Sequence, residues 1–487
     1  MSTPSIKKNI VLSTAYQILT LITPFITAPY VSRILEPDGI GVYSFTNSIL
    51  SYFTMFAVLG TNSYGARQIA RVRDDIDKLS KNFFEIELLS IVTSSICIAL
   101  WLIMILCVTK YQVIYLILTI SLVGCMADIS WFFIGLEQFS YIVVRNTIVK
   151  VACIAFLFVF IKSKDDLYLY IFLMTMANFL GTLSMWMYIP KMVKKVKWKD
   201  LDIRPHFKQT CLFFLPTVAS SIYLVMDKTL IGLITKSEAE NGYYEQATKI
   251  VNMAKVLAFS ALSSVLSART SYLYAEGKFD EIKSRINKSL NFVLFMGIGI
   301  SCGIIAVANR FVPWFFGAGY QKVIILLQVL SPIIVIIGIS NIIGSHYYTA
   351  VGAEYQKRAA RYMMIGAAVN LCLNLALIPW LRSFGAVIAS LVTETIITCL
   401  FLYNSDGYME LIQILHLGWK KLIAGILMIL AMVFIGHQIA DNTLAVLSEI
   451  AVGLATYFIS LYFFKDSFLG YLYYGIIKPK LLNIFKK

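Results

Sequence analysis

The sequence predicts an all-α integral membrane protein with about fourteen transmembrane helices, and three observations carry that prediction. Of 487 residues 59% are hydrophobic and 14% charged, with a mean hydropathy of +0.75. A soluble domain could not shield so much apolar surface. Apolar runs of about 20 residues, long enough to cross a bilayer, recur along the whole chain. The lysines and arginines then fall unevenly on the loops between those runs, as they do in multi-pass proteins.

The runs centre near Ile22, Ser51, Ile96, Val123, Phe156, Met176, Ile222, Leu257, Gly297, Val335, Val369, Leu391, Leu430 and Leu454. An even number of spans leaves both termini on one side. With the N-terminus inside, 30 of the 42 Lys and Arg lie on inner segments and 8 on outer loops, while Lys150, Lys228, Lys249 and Lys255 lie within spans. Both termini are therefore expected in the cytoplasm. The basic flank and long apolar stretch at the start read as a retained first span, because no small-residue cleavage site follows. The most basic inner segment, 191–208 (KMVKKVKWKDLDIRPHFK), is the natural linker between halves, and its lysines can also meet anionic lipid heads. It divides the chain into a six-helix bundle over 1–190, a second over 209–404, and two further helices with a basic tail over 405–487.

Composition also excludes function classes. A net charge of +15 would suggest nucleic acid in a soluble protein, but here location assigns it to the cytoplasmic loops, and no nucleic-acid partner is expected. The eight cysteines (97, 107, 125, 153, 211, 302, 372 and 399) lie in or beside apolar runs without CxxC spacing. They read as small buried hydrophobes, neither disulfides nor metal ligands. His206, His346, His416 and His437 show no metal spacing, and no GxxxxGK[ST] phosphate loop occurs, so neither a metal, a cofactor nor ATP hydrolysis is expected. No outer loop exceeds about 15 residues, which leaves no room for the extracytoplasmic domain of a membrane glycosyltransferase or polymerase. Transport energy must then come from a gradient or from consumption of the product.

The chemistry is concentrated near the middle of the chain. Asp227 and Lys228 interrupt an apolar run, and a charge at the bilayer centre costs about 2.5 to 3.5 kcal/mol on insertion scales, so both should face protein or a water-filled cavity. Pro216, Ser220, Tyr223 and Asp227 share one helix face, with Thr217, Ser221 and Lys228 beside it. In the next run Glu245, Thr248, Lys249, Asn252 and Lys255 fall within an arc of about 120°. A purely structural alternative pairs Asp227 with a lysine and Glu245 with Lys249 four residues on, and lets the long lysines snorkel. Lys255 has no carboxylate within four residues, and excess positive charge in a membrane interior suits an anionic headgroup.

The two halves repeat weakly. EPDGIGVYSFTNSI follows the first span and AENGYYEQATKI the seventh; aligning Gly41 with Gly242 pairs Tyr43 with Tyr244 and Ile49 with Ile250. The first span also carries a polar stripe with proline: Ser13, Gln17, Thr20, Pro24 and Thr27. Proline-bearing lead helices in corresponding halves suit a two-bundle transporter with a central site, although duplication alone would leave the same trace. Two further carboxylates stand out. Asp128 lies beside Trp131 and could mark sugar stacking or a protonation site; alternatively Trp131 is an interfacial anchor and Asp128 a partner for Lys150. Glu394 lies mid-span among threonines, within reach of Asn370 and Asn374, and would either stay protonated on an Asn or bind a coupling cation.

The segments RILEPDGIGVYSFTNSI, DISWFFIGLEQF and MDKTLIG followed by NGYYEQATKI resemble the Wzx-type polysaccharide flippases of the multidrug/oligosaccharidyl-lipid/polysaccharide exporter superfamily, over nearly the whole chain. The resemblance implies two six-helix bundles in a V shape plus two C-terminal helices, alternating between inward-open and outward-open states. It also implies transfer of undecaprenyl-diphosphate-linked oligosaccharide from the inner to the outer leaflet, with membrane lipids as surroundings and a polysaccharide polymerase as a partner from family context. Within that picture Lys228, Lys249, Lys255 and Lys150 are assigned to the diphosphate. Asp227, Asp128 and Glu394 are assigned to charge balance or ion coupling, and Trp131, Tyr223 and Asn252 to sugar contacts. Related flippases for teichoic acid or peptidoglycan precursors remain competitors. So does a cation-coupled multidrug exporter, although the carboxylate such exporters often carry in the first span is absent before Glu36.

Overall fold

The computed structural model describes residues 6–348, 352–436, 438 and 443–471, with the side chains of 6–18, 21, 139–140, 212–213, 215–224, 260–269, 271, 345–346 and 353 left out. The described residues are almost entirely helical, and they form two compact units, 1–242 and 243–487.

In the first unit, α1 (Ile6–Val58) holds two of the expected spans in one run. It is broken at Glu36, whose φ of 55° and ψ of 179° leave the helical region because Pro37 follows. Leu59 and Gly60, both with positive φ, turn the chain into α2 (Thr61–Val72). Asp75 then caps α3 (Ile76–Cys107) by accepting the backbone N–H groups of Asp77 and Lys78, each at 3.1 Å. The unit continues through α4 (Gln112–Met126), α5 (Ser130–Gly135), α6 (Phe139–Phe160), α7 (Leu167–Met185) and α8 (Arg204–Thr235) to the start of α9 (Glu238–Ala275).

Two cores hold these helices. Between α1, α3, α4 and α7, the fully buried Trp101 packs on Phe53 and gives its indole N–H to Tyr115 O at 3.2 Å and Thr119 Oγ1 at 3.1 Å. The second core joins α2, α3 and α5 through Tyr64, Phe83, Trp131, Phe132 and Phe133, with Trp186 against Phe83. Apolar side chains such as Leu106 and Ile148 point outward instead, as a lipid-facing surface requires.

In the second unit, α9 leads to α10 (Phe279–Phe316), α11 (Gln321–Leu330) and α12 (Ile333–Asn341), the last two separated by Pro332. A π-helical turn over Ile342–Tyr348 precedes α13 (Ala353–Leu381) and α14 (Ser383–Tyr403), which pack as a pair. The C-terminal helices α15 (Leu411–Gly436) and α16 (Thr443–Phe463) lie against α10 and are followed by the short α17 (Ser467–Tyr471). Gly425 makes the α10–α15 approach possible, since a Cβ there would lie 2.6 Å from Cys302 Sγ.

Eleven helices among the described residues are long and apolar enough to cross a membrane. Separating α1 at Glu36 adds one; α8 and α9, of 32 and 38 residues, are partly without described side chains. That accounting is in line with the expected fourteen. The units divide after α8, whereas the 191–208 segment lies between α7 and α8, because α8 packs on α1, α2 and α3. All eight cysteines are unbridged, but Cys107, Cys372 and Cys399 are exposed, so the expectation of uniform burial is corrected by helix faces that look outward.

Candidate functional site

One end of the first unit is drawn together around the break in α1. The two glycines aligned by the sequence repeat meet there. A Cβ on Gly41 would lie 1.7 Å from the Glu238 carbonyl oxygen and 2.9 Å from Gly242 N; one on Gly242 would lie 2.0 Å from the Pro37 carbonyl oxygen. Each glycine thus faces the carbonyl four residues before the other, a reciprocal backbone contact that no other residue type permits. Beside it Ser48 and Thr229 share a hydrogen bond of 2.8 Å, and Asn241 Nδ2 donates to Lys228 O at 2.7 Å. The carboxylate of Glu238 accepts the Tyr111 hydroxyl and pairs with Lys110 Nζ at 3.0 Å. Burial works against the Glu238 carboxylate, but these two bonds outweigh it and hold it below the usual carboxylate range. Burial, then Glu238, pushes the Tyr111 phenol up to about 12.

The opposite end of this unit is tied by a buried relay. Tyr64 Oη lies 2.7 Å from His206 Nδ1, and His206 Nε2 lies 2.8 Å from Glu85 Oε2, whose other oxygen accepts Asp202 N–H at 2.9 Å. The relay joins α2, α3 and the first turn of α8. Ion pairs Arg73–Glu137 at 3.0 Å and Lys194–Asp77 at 2.7 Å surround it.

The residues singled out from the sequence are distributed over both units. In the first, Asp227 is buried and Lys228 half-buried on α8, and Lys150 Nζ donates to Thr20 Oγ1 of α1 at 2.8 Å. Asp128 does not pair with Lys150; its Oδ1 accepts Ser130 N–H at 2.9 Å. Trp131 is completely buried, stacked on Phe83 at 5.7 Å with Gly65 beneath it, so in this conformation it packs the core and offers no face to a sugar or to the interface. The Tyr223 side chain lies outside the described residues.

In the second unit Lys249 pairs with Glu245 at 4.0 Å, the helical spacing that the structural alternative invoked. Asn252 is exposed on α9. Lys255 is half-buried, and Glu394, from a separate span that the sequence could not connect to it, is the charge that bears on it. Asn370 and Asn374, both fully buried, bond to each other at 3.0 Å.

Three features escaped sequence reasoning. Lys421 and Asp466 form a pair at 2.8 Å with both side chains almost wholly buried, and Arg310 pairs with Glu449 at 3.1 Å while also donating to Gly436 O. Their partners are far apart in sequence, so no local spacing marks them. Glu87 is 3% exposed on α3, and neither carboxyl oxygen has a hydrogen-bond partner among the described residues. Its signal was the pair Glu85 and Glu87, two residues apart and therefore on different helix faces.

Comparison with known proteins matches residues 6–267 to the family described as polysaccharide biosynthesis protein. A relative in Escherichia coli (strain K12) named "Putative O-antigen transporter" is 25% identical over 82% of this chain and 96% of its own. A Haloferax volcanii relative named "Probable low-salt glycan biosynthesis flippase Agl15" is 22% identical over 48% of this chain and 49% of its own. Among solved structures, "Lipid II flippase MurJ, inward closed conformation" superposes with a TM-score of 0.71 at 17% identity, over 94% of this chain and 99% of that one. An inward-facing multidrug resistance MATE family transporter gives 0.63 at 12% identity, over 82% of this chain and 98% of that one. These structural likenesses establish the fold.

Proposed function

Because the chain belongs to the polysaccharide biosynthesis protein family, a family whose fold here is that of multi-pass membrane transporters, we propose that it flips undecaprenyl-diphosphate-linked oligosaccharide repeat units from the inner to the outer leaflet of a bacterial plasma membrane. The polymer served would be capsule, O-antigen or another cell-wall polysaccharide. The relatives named as an O-antigen transporter and a glycan flippase support this class of substrate. The observation that carries the reading is the set of lysines on otherwise apolar helices: Lys228, Lys249 and Lys255, with Lys150 in support. Charges in a membrane interior are rare and mark substrate or ion pathways. A diphosphate is an anion that such lysines can bind while the lipid tail stays in the bilayer.

In this proposal Asp227, Asp128 and Glu394 balance charge or couple an ion, and Asn252 and Tyr223 contact sugar. Trp131 would do so only after leaving its buried site. Bundles over 1–190 and 209–404, the 191–208 linker and the appended 405–487 helices alternate access. Cytoplasmic termini follow from the positive-inside partition, which puts the Gly41–Gly242 contact and the Glu238 cluster at the outer end and the His206 relay at the inner end. A polysaccharide polymerase would consume the product.

Deleting the gene and analysing lipid-linked oligosaccharides by mass spectrometry, with surface glycan in parallel, tests the reading. Accumulated undecaprenyl-diphosphate repeat units with loss of surface polymer are expected. Accumulated teichoic acid or peptidoglycan precursors would redirect the substrate. Unchanged intermediates with increased sensitivity to cationic dyes would replace the reading by drug efflux.

A further inference from the structure

We propose that Ser48, Thr229 and Asn241 are positioning residues that fix the rotation of α8 and so hold the Lys228 ammonium in place for the diphosphate; the diphosphate half of this proposal rests on the flippase reading above. The clamp is built from the segments that carry the sequence repeat. Ser44, Ser48 and Tyr52 stand four residues apart and therefore on one face of α1. Ser48 Oγ donates to the Phe45 carbonyl at 2.7 Å, which leaves its lone pairs for the Thr229 hydroxyl of α8 at 2.8 Å. Tyr52, one turn further along α1, is also hydrogen-bonded to Thr229. From the first turn of α9, Asn241 Nδ2 donates to the Lys228 carbonyl at 2.7 Å, and its Oδ1 lies 3.5 Å from Ser44 Oγ. Ser44, Ser48 and Asn241 are all buried.

These bonds converge on two successive residues of one helix. The Lys228 carbonyl already has the backbone N–H four residues on as its helical partner, so it does not need Asn241 to be satisfied. What the Asn241 bond adds is placement. With Thr229 turned to α1, Lys228 leaves α8 about 100° round the helix, and α8 cannot rotate without orphaning buried polar groups. Close backbone approach is what lets such short side chains reach across. A Cβ on Gly232 would run into the Phe45 ring, and the Gly41–Gly242 contact draws α1 and the start of α9 together beside the same bonds. A lysine stem is long and rich in rotamers, so a helix held at its root lowers the ordering cost of presenting the ammonium to an anion. A simple tie between helices would use the same bond types but would not act through the lysine.

Binding of undecaprenyl diphosphate to the purified full-length protein in lipid nanodiscs separates the two. The wild type is compared with Ser48→Ala, Thr229→Val, Asn241→Ala and Lys228→Ala, and with each clamp change combined with Lys228→Ala. Each clamp change alone should weaken binding by about three- to tenfold. None should weaken it further once Lys228 is replaced, the non-additivity expected of groups that act through one another. Losses that add in the combined variants, or normal binding in all three clamp variants, would overturn the positioning role. The isosteric Thr229→Val carries the test if Asn241→Ala folds poorly. With no ligand present, the rate at which acetic anhydride modifies Lys228, read by peptide mass spectrometry, should rise in the clamp variants while that of Lys150 on α6 stays constant. An unchanged Lys228 rate would overturn the clamp whatever the cargo is. A raised rate together with normal diphosphate binding by Lys228→Ala would support the clamp and remove the diphosphate assignment, so the two failures are distinguishable.

Discussion

The C-terminal helices and the α3–α5 region both bury charge, and they handle it in opposite ways. Around α15 and α16 the buried charges among the described residues are matched: Lys421 meets Asp466 at 2.8 Å and also donates to Leu417 O at 2.8 Å, and Arg310 meets Glu449 at 3.1 Å. Asp466 further accepts the N–H groups of Phe468 and Leu469. In the α3–α5 region Glu87 is buried, and neither of its carboxyl oxygens has a hydrogen-bond partner among the described residues. A matched buried pair has one stable ionisation state and acts as a fastener. An unmatched carboxylate carries the full cost of leaving water unless it binds a proton, so it fastens nothing.

The largest effect should come from breaking a match. Lys421→Ala strands Asp466 and should destabilise the protein by about 3–5 kcal/mol, read as a lower unfolding temperature of the purified protein, whereas replacing both partners by Met and Leu should recover most of it. If the single change were harmless, the C-terminal pair would be no fastener and the contrast with Glu87 would fall.

Gly242→Ala comes next. Its Cβ would collide with the Pro37 carbonyl, and overpacking of this kind costs about 1–3 kcal/mol. That cost should loosen the Gly41–Gly242 contact, so the reactivity of a cysteine introduced beside it should rise while total protein in the membrane is kept.

Lys228→Ala and Lys255→Ala sharpen the comparison from the functional side. Each should lower surface glycan by about tenfold or more, the loss of roughly 1.4 kcal/mol of anion binding, with unchanged protein in the membrane. Near-normal glycan in both variants would remove the diphosphate assignment.

Glu87→Gln should shift stability by less than about 1 kcal/mol, because an isosteric side chain replaces a carboxyl group that makes no hydrogen bond among the described residues. Instability on the scale of Lys421→Ala would show that Glu87 has a partner after all.

The smallest effect concerns the Glu238 cluster. A carboxylate held below its ordinary value contributes stability above the unfolded value of about 4.5 and loses it as pH falls through the lower folded value. Mild acid should therefore loosen the Lys110–Glu238 contact, by less than about 1 kcal/mol given the exposure of both groups, and Lys110→Ala should reduce that pH dependence, leaving the part due to the Tyr111 hydroxyl.

Hydropathy and loop charge made the helical class and the approximate number of spans legible, because both follow from transfer free energy that each residue carries with it. The repeat made Gly41 and Gly242 equivalent in sequence; that they touch required the chain to be folded. Asp227, Lys228 and Lys255 were visible as charges among apolar neighbours, yet the encounter of Lys255 with Glu394 joins helices about 140 residues apart in sequence. Trp131 was legible as an aromatic beside a carboxylate, and the same two letters fit an exposed platform or a core. Only packing against Phe83 and Gly65 chose the core.

By itself, then, the sequence determined that this is a multi-pass helical membrane protein of a recognisable transporter kind, since spans, caps and breaks such as Glu36–Pro37 depend on local chemistry and on hydropathy summed over short windows. The tertiary structure decided which buried charges are matched and which are not. Matching requires contact between residues distant in the chain, and a helix-length pattern records the face on which a charge sits without recording what stands opposite it.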